Sequence, residues 1–259
     1  MRILFFGDIV GKVGRNAVHL SLPKLIKKYG VDFVIANGEN VSHGKGLTES
    51  NYHFLLDSGV DCVTLGNHWH SKQQIDYYIQ DADNLVRPLN IKNYALGTGS
   101  ASYTVNGIEV RVTNVLGQGF MAEEVDDPIK SMDALLEETG LCIHIVDFHA
   151  ESTSEKAIFG HYFDGRVTAV LGTHTHIATN DAHILEEGTA FMSDVGMCGD
   201  PDGVIGFEKE SVIGKVVYGE GRFELNEDAR MAINAVLIDV DEVTCKATSI
   251  TPIVQFVEK

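Results

Sequence analysis

The chain has 259 residues, enough for one large domain or two small ones around a substantial core. Its formal charge of −17 argues against a surface for long DNA or RNA, which needs clustered Lys and Arg. No apolar run approaches the ~20 residues of a membrane span, and the chain opens directly on Arg2-Ile3-Leu4-Phe5-Phe6 with no leader pattern. Four widely spaced cysteines without a Cys-x-x-Cys pair suit reduced, packed thiols in a cytoplasmic protein. No linker-like tract or repeat divides the sequence, so a single domain over 1–259 is expected.

In chain order, apolar runs at 3–6, 33–36 and 62–65 predict buried strands, and the spacing predicts helices over 18–29, 48–58 and 72–82 between and after them. Thr48 and Ser71 stand where N-caps are expected. This alternation predicts a parallel half-sheet over the first ~85 residues. Residues 103–112 carry Asn106-Gly107 between two alternating runs, a two-residue hairpin signal. A helix is expected over 128–139, strands at 143–146 and 167–171, and between them a helix over 152–163 with Ser152 as cap and Glu155 at the capping-box position. The tail from Ala232 reads as strands, giving mixed sheets sandwiched by helices.

Polar clusters follow five of these strands: Gly7-Asp8, Gly38-Glu39-Asn40, Gly66-Asn67-His68, Asp147-Phe148-His149 and Gly172-Thr173-His174-Thr175-His176. Carboxyl ends of parallel strands open on one edge of a sheet, so these loops converge. Asp8, Glu39, Asn67, His149, His174 and His176 form a mixed oxygen and nitrogen donor set suited to two divalent metals. Two cations against two carboxylates leave a positive centre that suits a phosphate ester and acidifies a bridging water to hydroxide. On a regular strand His174 and His176 would point to opposite faces; in a loop after the strand, each ring can reach one of two adjacent ions. His68, next to Asn67, is placed to protonate a leaving oxygen as general acid.

Taken singly, Asp8, Glu39 and Asn67 are ordinary turn chemistry; it is their convergence with three histidines that points to metal. Gly7 to Gly14 has the wrong spacing for a dinucleotide loop and puts Asp8 where a pyrophosphate would sit. Arg87-Pro88 and residues 114–121 are candidates for the pocket wall, and His70 stands near the site without an assigned role.

Gly66-Asn67-His68 and Gly172-Thr173-His174-Thr175-His176 resemble the third and last motifs of calcineurin-like metallophosphoesterases. Two departures from that superfamily's general pattern, Asp8-Ile9-Val10 for Asp-x-His and Glu39 for the bridging Asp, mark one branch, and the chain closely resembles the bacterial YmdB family of 2′,3′-cyclic-nucleotide 2′-phosphodiesterases. The further segments that carry this are Asn37 to Asn40, Gly44 to Thr48, Asp147 to Lys156 and Ser193 to Met197. The resemblance implies an α/β fold of the four-layer α/β/β/α sandwich type and two divalent or trivalent metal ions, with iron foremost and manganese or zinc as the other options. It implies Asp8 and His176 on the first metal, with Asn40 as a further ligand or near-ligand. Glu39 is then the bridge, Asn67, His149 and His174 bind the second metal, and His68 is the proton donor. The expected substrate is a small 2′,3′-cyclic nucleotide opened to a 3′-nucleotide. The rivals are a 3′,5′-cyclic-nucleotide phosphodiesterase or phosphomonoesterase on the same centre, or a nucleotide-sensing regulatory protein. Self-association into a homo-oligomer stays open. Trp69-His70-Ser71 and Gln118-Gly119 differ from what the family places beside the site.

Overall fold

In the computed structural model, which describes residues 1–258, strand β1 (Arg2–Phe6) sends alternate side chains into two different cores. Ile3 and Phe5 pack in a cluster with residues of a second sheet, while Leu4 and Phe6 pack with helical residues. The chain continues through β2 (Asp8–Ile9), α1 (Gly11–Tyr29), β3 (Phe33–Asn37), α2 (Glu49–Asp57), β4 (Cys62–Thr64), α3 (Ile75–Tyr78) and β5 (Leu85–Val86). Strands β1, β3, β4 and β5 are parallel neighbours, the half-sheet that the alternation predicts. A hairpin of β6 (Ser100–Val105) and β7 (Ile108–Leu116) turns on Asn106 and Gly107, at φ 51° and 83°. Both angles are those of the primed turn that an Asn-Gly pair favours. There follow α4 (Pro128–Glu137), β8 (Ile143–His149), α5 (Thr153–Tyr162), β9 (Ala169–Thr173), β10 (His183–Ile184), β11 (Ala190–Met192), β12 (Met197–Cys198), α6 (Lys209–Ile213), β13 (Met231–Val240) and β14 (Ala247–Val257).

The strands form two six-stranded mixed sheets, ordered β14-β13-β1-β3-β4-β5 and β10-β11-β9-β8-β7-β6, while β2 pairs with β12. One apolar cluster joins Ile3, Phe5 and Ile35 of the first sheet to Val110, Ile145 and Leu171 of the second. A second joins Leu4, Phe6 and Val34 to Val18 and Leu22 of α1 and Leu55 of α2, and a third joins Val146, Phe148 and Val170 to Met132 of α4 and Phe159 of α5. Three cores between four layers give the α/β/β/α sandwich. No helix of the described residues is long and apolar enough to cross a membrane. All four cysteines are free, and Cys62, Cys198 and Cys245 are buried.

The structure corrects several boundaries. Helix α1 begins at Gly11 rather than at 18, and its early glycines lie on the buried side, where Gly14 serves close packing: a Cβ there would lie 2.2 Å from the Cys198 carbonyl oxygen. The helix expected over 72–82 shrinks to α3 and a following 3₁₀ turn, Ile79–Asp81. Residues 75–77 bond back to carbonyls only three residues away, and Ser71 caps nothing; the residue before α3 is Gln74. Strand β8 runs on through His149. Ser152 caps α5 by accepting from the Glu155 N–H, but the Glu155 carboxylate leaves the capping box and accepts from the backbone N–H groups of Gln118 and Gly119.

Candidate metal centre

The carboxyl ends of β1, β3 and β4 in one sheet and of β8 and β9 in the other open on the same side, and the five polar clusters meet there. Asp8 lies in β2, Glu39 and Asn40 follow β3, Asn67 and His68 follow β4, His149 ends β8, and His174 and His176 follow β9. Asp8, Glu39, Asn40, His149 and His176 are buried, while Asn67, His68 and His174 are half-buried.

Four ligand-type atoms converge on the second-metal side. His149 Nε2 faces Asn67 Oδ1 at 3.0 Å, His174 Nδ1 at 3.1 Å and Glu39 Oε1 at 3.2 Å. Glu39, His149 and His174 offer one atom each within 4.8 Å of one another, close enough to hold one ion. Each side chain is aimed by a further bond. His149 Nδ1 meets Thr173 Oγ1 at 2.9 Å; that hydroxyl donates to Asp147 Oδ1, while Thr64 and Asn37 donate to Asp147 Oδ2. Asn67 donates its Nδ2 to Glu123 Oε1 at 3.2 Å, which leaves Oδ1 as the atom turned inward. His174 Nε2 lies 3.2 Å from Glu151 Oε2, so Nδ1 faces the cluster. A Cβ at Gly66 would stand 2.3 Å from Glu39 Oε2 and 2.5 Å from His149 Nε2, so glycine alone admits these two side chains.

The first-metal side is looser. His176 Nδ1 donates to the Ile205 carbonyl at 2.9 Å, leaving Nε2 to face Asn40 Nδ2 at 3.0 Å and Asp8 Oδ1 at 3.9 Å. Asp8 Oδ2 accepts from the His174 N–H at 3.1 Å, whereas Oδ1 is buried and has no hydrogen-bond partner among the described residues. Asn40 Nδ2 also donates to Glu39 Oε1 at 2.9 Å, so Glu39 stands between the two groups. Its other oxygen accepts the His68 backbone N–H at 2.9 Å, which anchors the His68 segment beside the centre.

Burial pushes the Asp8 carboxyl up to about 6, against the pull of His176 and His149. Burial also works against the charged forms of Glu39 and His149, but their mutual attraction prevails, holding Glu39 at about 2 and His149 at about 9. His174 is pushed down to about 3 by burial and by His149, so its ring is neutral with a free lone pair. An unpartnered carboxylate oxygen and a neutral imidazole are satisfied by a cation placed among them, and the two acids that draw a proton onto His149 would hold such a cation in that proton's place.

The structure thus brings together Asp8, Glu39, Asn40, Asn67, His68, His149, His174 and His176. Arg87 is not on the wall: its guanidinium is spent on the Leu96, Pro88 and Tyr94 carbonyls. His70 pairs with Asp76 at 2.9 Å in a cluster with Tyr94 and Trp69. Glu123 and Ile205 touch ligand-type side chains from outside every motif, while Glu151 and Thr173, which also touch them, and Lys156 with Asp194 beneath the His174 loop lie inside motifs without a role having been read for them. One signal for Lys156 was available: it falls on the buried stripe of α5 with Phe159 and Gly160, where a lysine needs a partner.

A family model described as YmdB-like protein matches residues 4–253. The 2′,3′-cyclic-nucleotide 2′-phosphodiesterase of Bacillus subtilis (strain 168) is 45% identical over 253 residues, covering 96% of this chain and 95% of that protein. The crystal structure of a novel phosphatase from Mycoplasma pneumoniae superimposes with a TM-score of 0.93 at 39% identity, over 99% of this chain and 93% of that one. The calcineurin-like phosphoesterase YfkN from Bacillus subtilis shares the fold at a TM-score of 0.58 and 13% identity, over 99% of this chain and 90% of that one.

Proposed function

The chain belongs to the YmdB-like family, and from that premise we propose that it is a metal-dependent phosphodiesterase that hydrolyses 2′,3′-cyclic nucleotides to 3′-nucleotides. The observation that carries this reading is the convergence of Asn67 Oδ1, Glu39 Oε1 and His174 Nδ1 on His149 Nε2, beside the orphaned Asp8 Oδ1. We assign Asn67, His149 and His174 to one ion, Asp8 and His176 to the other with Asn40 beside it, and Glu39 between them. When bound, the two ions would neutralise charge on the phosphate and acidify a coordinated water. Oxygen and nitrogen donors of this kind accept iron, manganese or zinc, and iron is our first choice.

The protein's own part is to place the ester and move a proton. Water adds across the P–O2′ bond: its oxygen goes to phosphorus, and a proton goes to O2′ as that bond breaks, leaving the phosphate on O3′. His68 is the group suited to deliver the proton. Its backbone is tied to Glu39, and its ring is half-buried beside the cluster without being one of the converging donors. Burial holds the imidazole below its ordinary range, against the pull of Glu39, which favours release of the proton once one is held.

The partner is a small cyclic nucleotide, since the net charge of −17 opposes long nucleic acid. Four free thiols fit a cytoplasmic protein. The test is hydrolysis of 2′,3′-cyclic AMP by Mn²⁺-loaded protein with a chelated control, set beside 3′,5′-cyclic AMP and p-nitrophenyl phosphate. Chelator-sensitive formation of 3′-AMP is expected. Formation of 2′-AMP would overturn the bond assignment, and faster turnover of either other ester would overturn the substrate class.

A further inference from the structure

His174 and His176 both have left-handed backbone, at φ 98° and 67°, conformations that non-glycine residues rarely adopt and that persist only where surroundings over-determine them. Between them Thr175 is tied at two points to one carboxylate oxygen: its N–H and its hydroxyl donate to Asp194 Oδ2 at 3.1 and 2.8 Å. The same oxygen accepts Lys156 Nζ at 2.8 Å, and the other accepts the Gly196 N–H at 2.8 Å. Lys156 and Asp194 are 2% and 1% exposed, so the pair has no solvent role. Over the strand that leads into the loop, the Ser193 carbonyl packs directly on Gly172 and the Lys156 stem lies beside it, 3.0 Å from where a Cβ at Gly172 would stand.

A buried ion pair gains little net stability, because desolvation of both charges offsets their attraction; its best-attested return is one conformation over others. Here the conformation singled out is the loop that presents two imidazoles. We propose that Lys156 and Asp194 are positioning residues that clamp Thr175, and through it hold His174 and His176 in the arrangement that binds metal. Neither touches a reacting atom. This inference rests on the assignment of His174 and His176 as ligands under the reading above.

The test measures Mn²⁺ binding by the full chain, by calorimetry and electron paramagnetic resonance, with no substrate present. Thr175→Val removes only the hydroxyl donor, Thr175→Ser keeps it, and Lys156→Met removes the charge at similar length. The clamp predicts about ten- to a hundredfold weaker Mn²⁺ binding in Thr175→Val and Lys156→Met, the loss typical for partners that orient metal ligands, and affinity close to the parent in Thr175→Ser. Circular dichroism and thermal melting report the fold separately, and Thr175→Val decides the matter if Lys156→Met fails to fold. A folded Thr175→Val protein that binds Mn²⁺ like the parent would overturn the clamp. Failure of the parent itself to bind Mn²⁺ would overturn the ligand assignment beneath it, a different and distinguishable result.

Discussion

His68 and Asn67 are chain neighbours with different tasks, and a single substitution separates them. Asn67 turns its carbonyl oxygen into the cluster, whereas His68 contributes its backbone N–H to Glu39 and leaves its ring free. His68→Ala keeps that backbone donor. It is therefore expected to lower kcat on 2′,3′-cyclic AMP by about 10²- to 10⁴-fold, the usual worth of a general acid, with metal content measured by atomic absorption unchanged. Loss of metal in the variant would move His68 into the ligand set. The ligand-type residues were legible because each stands directly after an apolar run and carries a donor that turns rarely combine. Asp194 and Lys156 stand in segments that carry the family resemblance, but their pairing was not legible: they are 38 residues apart, and a lysine on a helix ordinarily reads as solvated. Glu123 and Ile205 lie on irregular segments where no period constrains what they touch.

At the level of elements, period and caps carried most of the reading. Thr48 and Ser152 cap α2 and α5 as expected, and Asn106-Gly107 turns the hairpin. The misreadings share a cause, tertiary contact overriding local signals: glycines opening α1 serve close packing, and the segment before β5 is drawn into the pairing of Asp76 with His70 and Tyr94. Strand β8 also carries a titrating group away from the metal centre. His144 lies opposite Arg111 in the parallel pairing with β7, and its Nε2 meets Thr113 Oγ1 at 2.8 Å. Burial, with Arg111 adding to it, pushes its pKa from 6.5 down to about 3. Below pH 6.5 the unfolded chain takes up a proton that the folded chain refuses, so stability is full above 6.5 and falls as pH drops toward 3. Between pH 7 and 5 this one group costs about 2 kcal/mol. Urea unfolding at the two pH values should show that loss reduced by about that amount in His144→Gln; an equal loss in parent and variant would mean that His144 is protonated in the folded protein.

The two large sheets are held together by the apolar cluster between them, and the candidate metal centre depends on it, because Glu39 and Asn67 follow strands of one sheet, His149, His174 and His176 end or follow strands of the other, and Asp8 lies just past β1 in the small β2–β12 pair. Strands buried on both faces read as continuous apolar runs and pointed to mixed sheets sandwiched by helices, while the four-layer order was what the family resemblance implied. What pattern left open was which strands adjoin, since β13 and β14 at the end of the chain complete the sheet that β1 begins, with pairing at more than 200 residues' separation. Phe5 is fully buried in that middle layer. Phe5→Ala should cost about 3–5 kcal/mol by lost burial and an unfilled cavity. If the two sheets form one cooperative domain, the whole cost appears in a single urea transition, monitored at once by far-ultraviolet dichroism and by Trp69 fluorescence. Trp69 packs on the helix side of the first sheet, so its signal follows that half alone. Coincident curves shifted together to lower urea are expected. A fluorescence transition that separates from the dichroism would show that the sheets unfold independently, and would recast the metal centre as a junction between two units.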